Sequence, residues 1–167
     1  DLINLGNGYV QMQAELAKNA IPYRVNLALT YAGIYRLKSQ TLFLGRSNAM
    51  AATEIKSLDK FDRGLATPKP GATYTVASST GMSMQLMNFV PENFSCVTGT
   101  AGPASAVFST MTGNALPVDC TVVGLNNVVV SKMGFTWLTD YGLAIQRDLV
   151  NAQSKASYTV TSFDVTR

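Results

Sequence analysis

The sequence predicts an α+β fold, with an N-terminal amphipathic helix or helices packed on an antiparallel β-sheet and one disulfide. Three observations carry this. Apolar residues recur at helical spacing through the first third of the 167-residue chain. Beyond residue 65 the pattern shifts to short Thr-, Val- and Tyr-rich runs separated by Gly, Asn and Pro. Those separations are too short for crossover helices, so the strands are expected to pair antiparallel. Residues 1–64 are therefore read as the helical part and 65–167 as the strand-rich part of one domain.

In residues 9–20, Val10, Ala14, Ala17 and then Ile21 fall at helical spacing, and Pro22 kinks or restarts the helix. Tyr23, Leu27, Tyr31, Ile34 and Leu37 continue an apolar stripe to about Lys38, predicted to lie on the sheet. A further helix is predicted from the N-cap Ser47 to Arg63, with Gly64 as its C-terminal stop. In it Ala51, Ile55 and Leu58 face inward, while Glu54, Lys56, Asp59, Lys60, Asp62 and Arg63 form a solvated face. Pro68 and Pro70 make residues 65–71 an extended connector.

Strands are then predicted at residues 72–77, 107–111, 120–123, 128–132 and 135–138, and at the alternating set Met82, Met84 and Leu86, with a turn at 78–81. Asp140 caps a short helix through Ala152, where Tyr141, Ile145 and Leu149 fall four apart. Residues 158–165 read as a last strand, with a bulge between Val160 and Phe163.

Composition narrows the chemistry. The chain contains no histidine, which removes the usual general base near neutral pH and the commonest metal ligand. Two cysteines alone make a poor zinc site, and no catalytic, cofactor-binding or metal-ligating residue is assigned. The net charge of +3, from 13 basic and 10 acidic residues, is spread without a Lys/Arg block, so nucleic acid is not an expected partner. Charged residues make up 14% and apolar residues 47%, the balance of a packed domain with a polar but weakly charged surface. No run of about 18 apolar residues spans a membrane, and a start at Asp1 suggests a processed or truncated product whose anchor or export signal lies upstream.

Cys96 and Cys120 are either free core thiols or one disulfide; in an exported protein pairing is expected. Closing that loop would contribute roughly 3 to 3.5 kcal/mol. The segment Gly81-Met82-Ser83-Met84-Gln85 holds half of a nucleophile-elbow pattern, without the second glycine or a histidine. Lys132 is one lysine for Ser-Lys chemistry, but nothing in the sequence selects a pair. Asp59 and Asp62 read as solubilising charges, Asn93-Phe94-Ser95 as a formal glycosylation sequon, and Met82, Met84, Met87 and Trp137 as core.

The order of features, with Tyr31-Ala32-Gly33-Ile34-Tyr35 in the helix and Asn88 to Cys96 running through a Val-Pro into the first cysteine, resembles a type IV pilin of the type IVb branch lacking its hydrophobic half-helix. The cysteines are closer together than in that branch, and the cleavage-site motif and N-terminal glutamate are absent. The resemblance implies a non-enzymatic structural subunit of an extracellular, cell-surface filament, self-associating into a homo-oligomer and reaching the membrane only through a missing segment. Gln13 and Lys18, on the less apolar first helix, are the expected assembly surface. A viral or phage structural protein, localised to the virion, is the first alternative; a small hydrolase using Ser-Lys or carboxylate chemistry is the second.

Overall fold

A computed structural model describes residues 1–44 and 50–166. The described chain is almost entirely antiparallel β-structure, in twelve strands: β1 Leu2–Gly6, β2 Tyr9–Lys18, β3 Ile21–Tyr31, β4 Tyr35–Phe43, β5 Met50–Phe61, β6 Thr73–Met82, β7 Val90–Thr98, β8 Gly102–Pro103, β9 Asn114–Val123, β10 Val129–Leu138, β11 Leu143–Asn151 and β12 Lys155–Ser157. They form one sheet in the order β1-β2-β3-β4-β5-β6-β7-β9-β10-β11-β12, with β8 paired to β9. Three short 3-10 turns, Arg63–Ala66, Ala104–Ala106 and Leu125–Asn127, are the only helical structure among the described residues.

The predicted α+β fold is thus corrected to all-β: among the described residues no helix packs on the sheet. Residues 9–20 form β2 and the turn after it, 22–38 form most of β3, a turn and the start of β4, and the described part of 47–63 is β5 with the start of a 3-10 turn. The expected cap Ser47 lies outside the described residues. The helix expected at 140–152 is a turn followed by β11.

The physical reason is that one apolar spacing satisfies two periods. Tyr23, Leu27 and Tyr31 are four apart, a spacing that suits a helix but also a strand, because four is twice two. Val25 and Leu29 complete that odd-numbered row, and Arg24, Asn26, Ala28 and Thr30 alternate with it. The five-residue stripe is not one face: Tyr31 and Ile34 are buried, Leu27 and Leu37 half-buried, and Tyr23 exposed.

Within the second half, the expected strands at 128–132 and 135–138 are parts of one strand, β10. Residues 107–111 and 158–165 form no strand, and Met84 and Leu86 lie in a loop.

Tight turns fix the register of the early hairpins. Asn7-Gly8 has φ of 53° and 83°, and Asn19-Ala20 has 52° and 61°. Two consecutive left-handed residues match the twist of the strands they join.

The core lies at the end of the sheet where β3 turns into β4. There the sheet folds over itself, so that Tyr31, Ile34 and Tyr35 pack against Val76 of β6, Phe94 of β7, Val118 of β9 and Trp137 of β10. Ala144 of β11 donates its N–H to the Ala32 carbonyl at 2.9 Å. This approach requires Gly33: at φ 73° a Cβ there would sit 2.5 Å from the Ala144 carbonyl oxygen. A second cluster gathers Val10, Met111, Leu138 and Leu143, and the C-terminal segment covers it with Val160 and Phe163.

Cys96 and Cys120 stand directly opposite on β7 and β9 and are joined by a disulfide, with their Cα atoms 4.0 Å apart. Both residues belong to the core, with 0% and 2% exposure. The expected pairing is present.

Candidate functional site

Strand register places the distal hairpin tips at one end of the sheet. Thr53 pairs with Met82, Thr80 with Val90, Asn93 with Val123, Val123 with Val129, and Ser131 with Asn151. The β2–β3 tip belongs to the same end, because Arg24 pairs with Phe43 and Leu42 with Met50. The core occupies the other end, so these tips have little beneath them to cover.

Most of the exposed large apolar side chains of the described residues collect there. Ile21 and Tyr23 stand at the first tip, and Phe43 and Leu44 at the end of β4. Leu125, Val128, Val129 and Val130 occupy the β9–β10 tip. The most exposed apolar segment is the β6–β7 loop, where Met84 is 93% exposed, Leu86 88% and Met87 69%. Leaving such residues in water forgoes about 1.5 to 3 kcal/mol each relative to burial, so their concentration is informative where a scattered few would not be.

That loop is held open by its own polar residue. Gln85 Oε1 accepts the Met82 N–H at 3.1 Å, and Gln85 Nε2 donates to the carbonyls of Met87 and Asn88, both at 2.7 Å. Lys56 braces the base, with Nζ donating to the Ser83 carbonyl at 2.9 Å and lying 5.8 Å from the centre of the Phe89 ring. The one long polar side chain of the loop is spent on its backbone, and the apolar ones point out.

These contacts also decide the half-elbow serine. Its neighbouring lysine is Lys56, not Lys132, and the Lys56 ammonium donates to Glu54 Oε1 at 2.8 Å as well as to the Ser83 carbonyl. An ammonium committed to a carboxylate is a brace and a poor base. Lys132 is exposed on β10, opposite Thr121 and Val150. Asp59 is exposed on β5, whereas Asp62 caps the first 3-10 turn by accepting the Gly64 N–H at 3.0 Å, so the two do not converge.

Gln13 and Lys18 are both exposed, on β2 and not on a helix. Five residues apart on a strand, they point to opposite faces about 17 Å apart and make no single patch. Lys18 closes β2 beside the apolar tip Ile21. Met82, Met84 and Met87, expected in the core, are exposed, whereas Trp137 is buried as expected. Asn93 of the sequon is exposed, between a half-buried Glu92 and a buried Phe94.

Elsewhere the polar groups serve packing. Tyr35 Oη donates to Ser78 Oγ at 2.6 Å in the core, and burial pushes the Tyr35 hydroxyl above its ordinary pKa. Burial also raises Glu92, with Arg36 opposing it, while the hydrogen bond from Lys56 lowers Glu54. Among the described residues no three carboxylates or cysteines gather as a metal site, and no helix is long and apolar enough to cross a membrane. An open depression lined by Gln11, Leu27, Leu29 and Lys38 marks the exposed β2–β4 surface.

The described residues therefore form a β-sheet with most of their exposed large apolar side chains at one end. No protein-family model, no curated protein and no solved structure matches the chain, which leaves that surface as the guide to function.

Proposed function

We propose that the protein is a non-enzymatic, extracellular structural module that works by contact, as a subunit of a larger assembly. The observation that carries this is the braced, outward display of Met84, Leu86 and Met87 among other apolar hairpin tips. A protein evolved only for solubility would place polar residues at loop tips, where no packing demands apolar ones. The Cys96–Cys120 disulfide supports an oxidising compartment.

The pilin resemblance assigns filament packing to a hydrophobic half-helix outside this chain, with Gln13 and Lys18 on the helix that follows as the assembly surface. Because Gln13 and Lys18 lie on strand β2, the contact is placed at the tips instead. The hydrolase alternative loses support from the occupied Lys56.

The test compares wild type with Met84→Ser/Leu86→Ser, both changes at exposed positions. Wild type should be retained on surfaces or in complexes from its native source, and the variant released, with thermal stability unchanged. Equal retention of both proteins would reject the contact role of this end.

A further inference from the structure

The occupant of the apolar end can be argued from its charge. The described connections at that end read Asn-Ala-Ile-Pro-Tyr at 19–23, Met-Ser-Met-Gln-Leu-Met-Asn-Phe-Val-Pro at 82–91, Gly-Leu-Asn-Asn-Val-Val-Val at 124–130 and Asn-Ala-Gln-Ser at 151–154. None contains an acidic residue. Strand register sets cations beside them: Lys18 and Arg24 flank the first tip, Lys132 follows Val130, and Lys155 pairs with Val150.

The acidic residues nearest this end are mostly engaged. Glu54 is bonded to Lys56 at 2.8 Å and lies 3.7 Å from Lys38, and Asp148 is bonded to Arg147 at 3.2 Å. Glu92 is half-buried, which leaves the exposed Glu15 as the exception. Apolar tips within a basic collar match a surface that is negative outside and apolar beneath. A second copy meeting this end tip to tip would bring two basic collars together.

We infer that this end seats on an anionic phospholipid bilayer, with Met84, Leu86 and Met87 entering the boundary between headgroups and acyl chains and Lys18, Arg24 and Lys132 lying on the headgroups. The inference takes its contact surface from the proposed function and names the partner. It replaces the expectation that the membrane is reached only through a segment outside this chain. The seat is peripheral: the tips enter, and the disulfide-linked core stays in water.

Flotation with phosphatidylcholine vesicles, with and without phosphatidylglycerol, tests this on the whole chain. Wild type should float with the anionic vesicles and far less with the neutral ones. Met84→Ser/Leu86→Ser should lower partitioning by about tenfold or more per residue, from the loss of apolar transfer. Lys18→Glu/Lys132→Glu should abolish the preference for anionic lipid while leaving the tips intact. Near-UV circular dichroism of buried Trp137 checks that each variant is folded, and Leu86→Trp adds a reporter whose emission should shift to the blue on anionic vesicles.

A Leu86→Trp protein that neither floats nor shifts would overturn the inference. Absence of vesicle binding together with self-association in vesicle-free buffer that Met84→Ser/Leu86→Ser abolishes would overturn the lipid partner and leave the assembly reading standing. Failure of both would end both readings.

Discussion

Replacing Cys96 and Cys120 together with alanine removes a covalent link between two central strands and is expected to be the most damaging conservative change in the molecule. The cysteines are 24 residues apart, so the disulfide closes a loop of about 25 residues in the unfolded chain. The chain-entropy relation gives such a loop about 3.5 kcal/mol at room temperature. Both sulfurs are also core atoms, at 0% and 2% exposure, and truncating each leaves a methyl-sized void worth about 1 kcal/mol. The sum is roughly 5 kcal/mol, comparable with the whole stability of a marginal domain. Urea denaturation followed by Trp137 fluorescence measures it: at a typical slope of about 1 to 3 kcal/mol per molar, the midpoint should fall by about 2 to 5 M, or the variant should be unfolded without urea. Thiol labelling of native wild type should find no free cysteine. A midpoint shift below about 0.5 M, or two labelled thiols in freshly purified protein, would refute the reasoning.

Other expected outcomes follow from single contacts. Tyr35→Phe leaves buried Ser78 Oγ without its donor and should cost about 1 to 3 kcal/mol in denaturation, most of it recovered against a Ser78→Ala background. Leu27→Ala, on the half-buried ribbon, should cost less than about 2 kcal/mol, whereas Leu65→Ala in the core should cost about 2 to 5 kcal/mol in the same assay. Burial raises the Glu92 pKa above 4.5, so its charged form penalises the fold at neutral pH and the penalty lifts as pH falls through the raised value. Glu92→Gln should therefore be more stable than wild type at neutral pH, with the difference closing toward pH 4.5 in pH-dependent melting. Gln85→Ala frees the backbone of the β6–β7 loop and should speed limited proteolysis there without changing global stability.

Strand-rich structure after residue 65 and the cysteine pairing were legible in the sequence because their signals are local. The N-terminal third was not, since apolar residues four apart satisfy both periods and only the intervening ones distinguish them. Val25 and Leu29 between Leu27 and its neighbours point to a strand, and Asn7-Gly8 is a hairpin signal between two alternating runs. Met82, Met84 and Leu86 alternate like a strand, but Gln85 turns inward to bind the loop backbone and sets the others outside it. Residues 158–165 have strand composition, yet they cover Val10 and Leu143 as an irregular flap. The apolar end could not be seen at all before the register was known, because it joins tips more than 100 residues apart in the chain.

The sheet order follows the chain almost without interruption, and this has a consequence during synthesis. Each hairpin can zip onto the one before as soon as it leaves the ribosome, with little loop to close. The floor beneath Tyr31, Ile34 and Tyr35, however, is begun by Val76 and Phe94 and completed only by Val118, Trp137 and Ala144. A nascent chain that has not reached residue 144 carries its first four strands formed but only partly covered, with Phe61, Val76 and Phe94 in place and the rest of the core still to come. The interval between making residue 35 and residue 144 is when this protein is most open to aggregation, and when a holding chaperone would have most to protect.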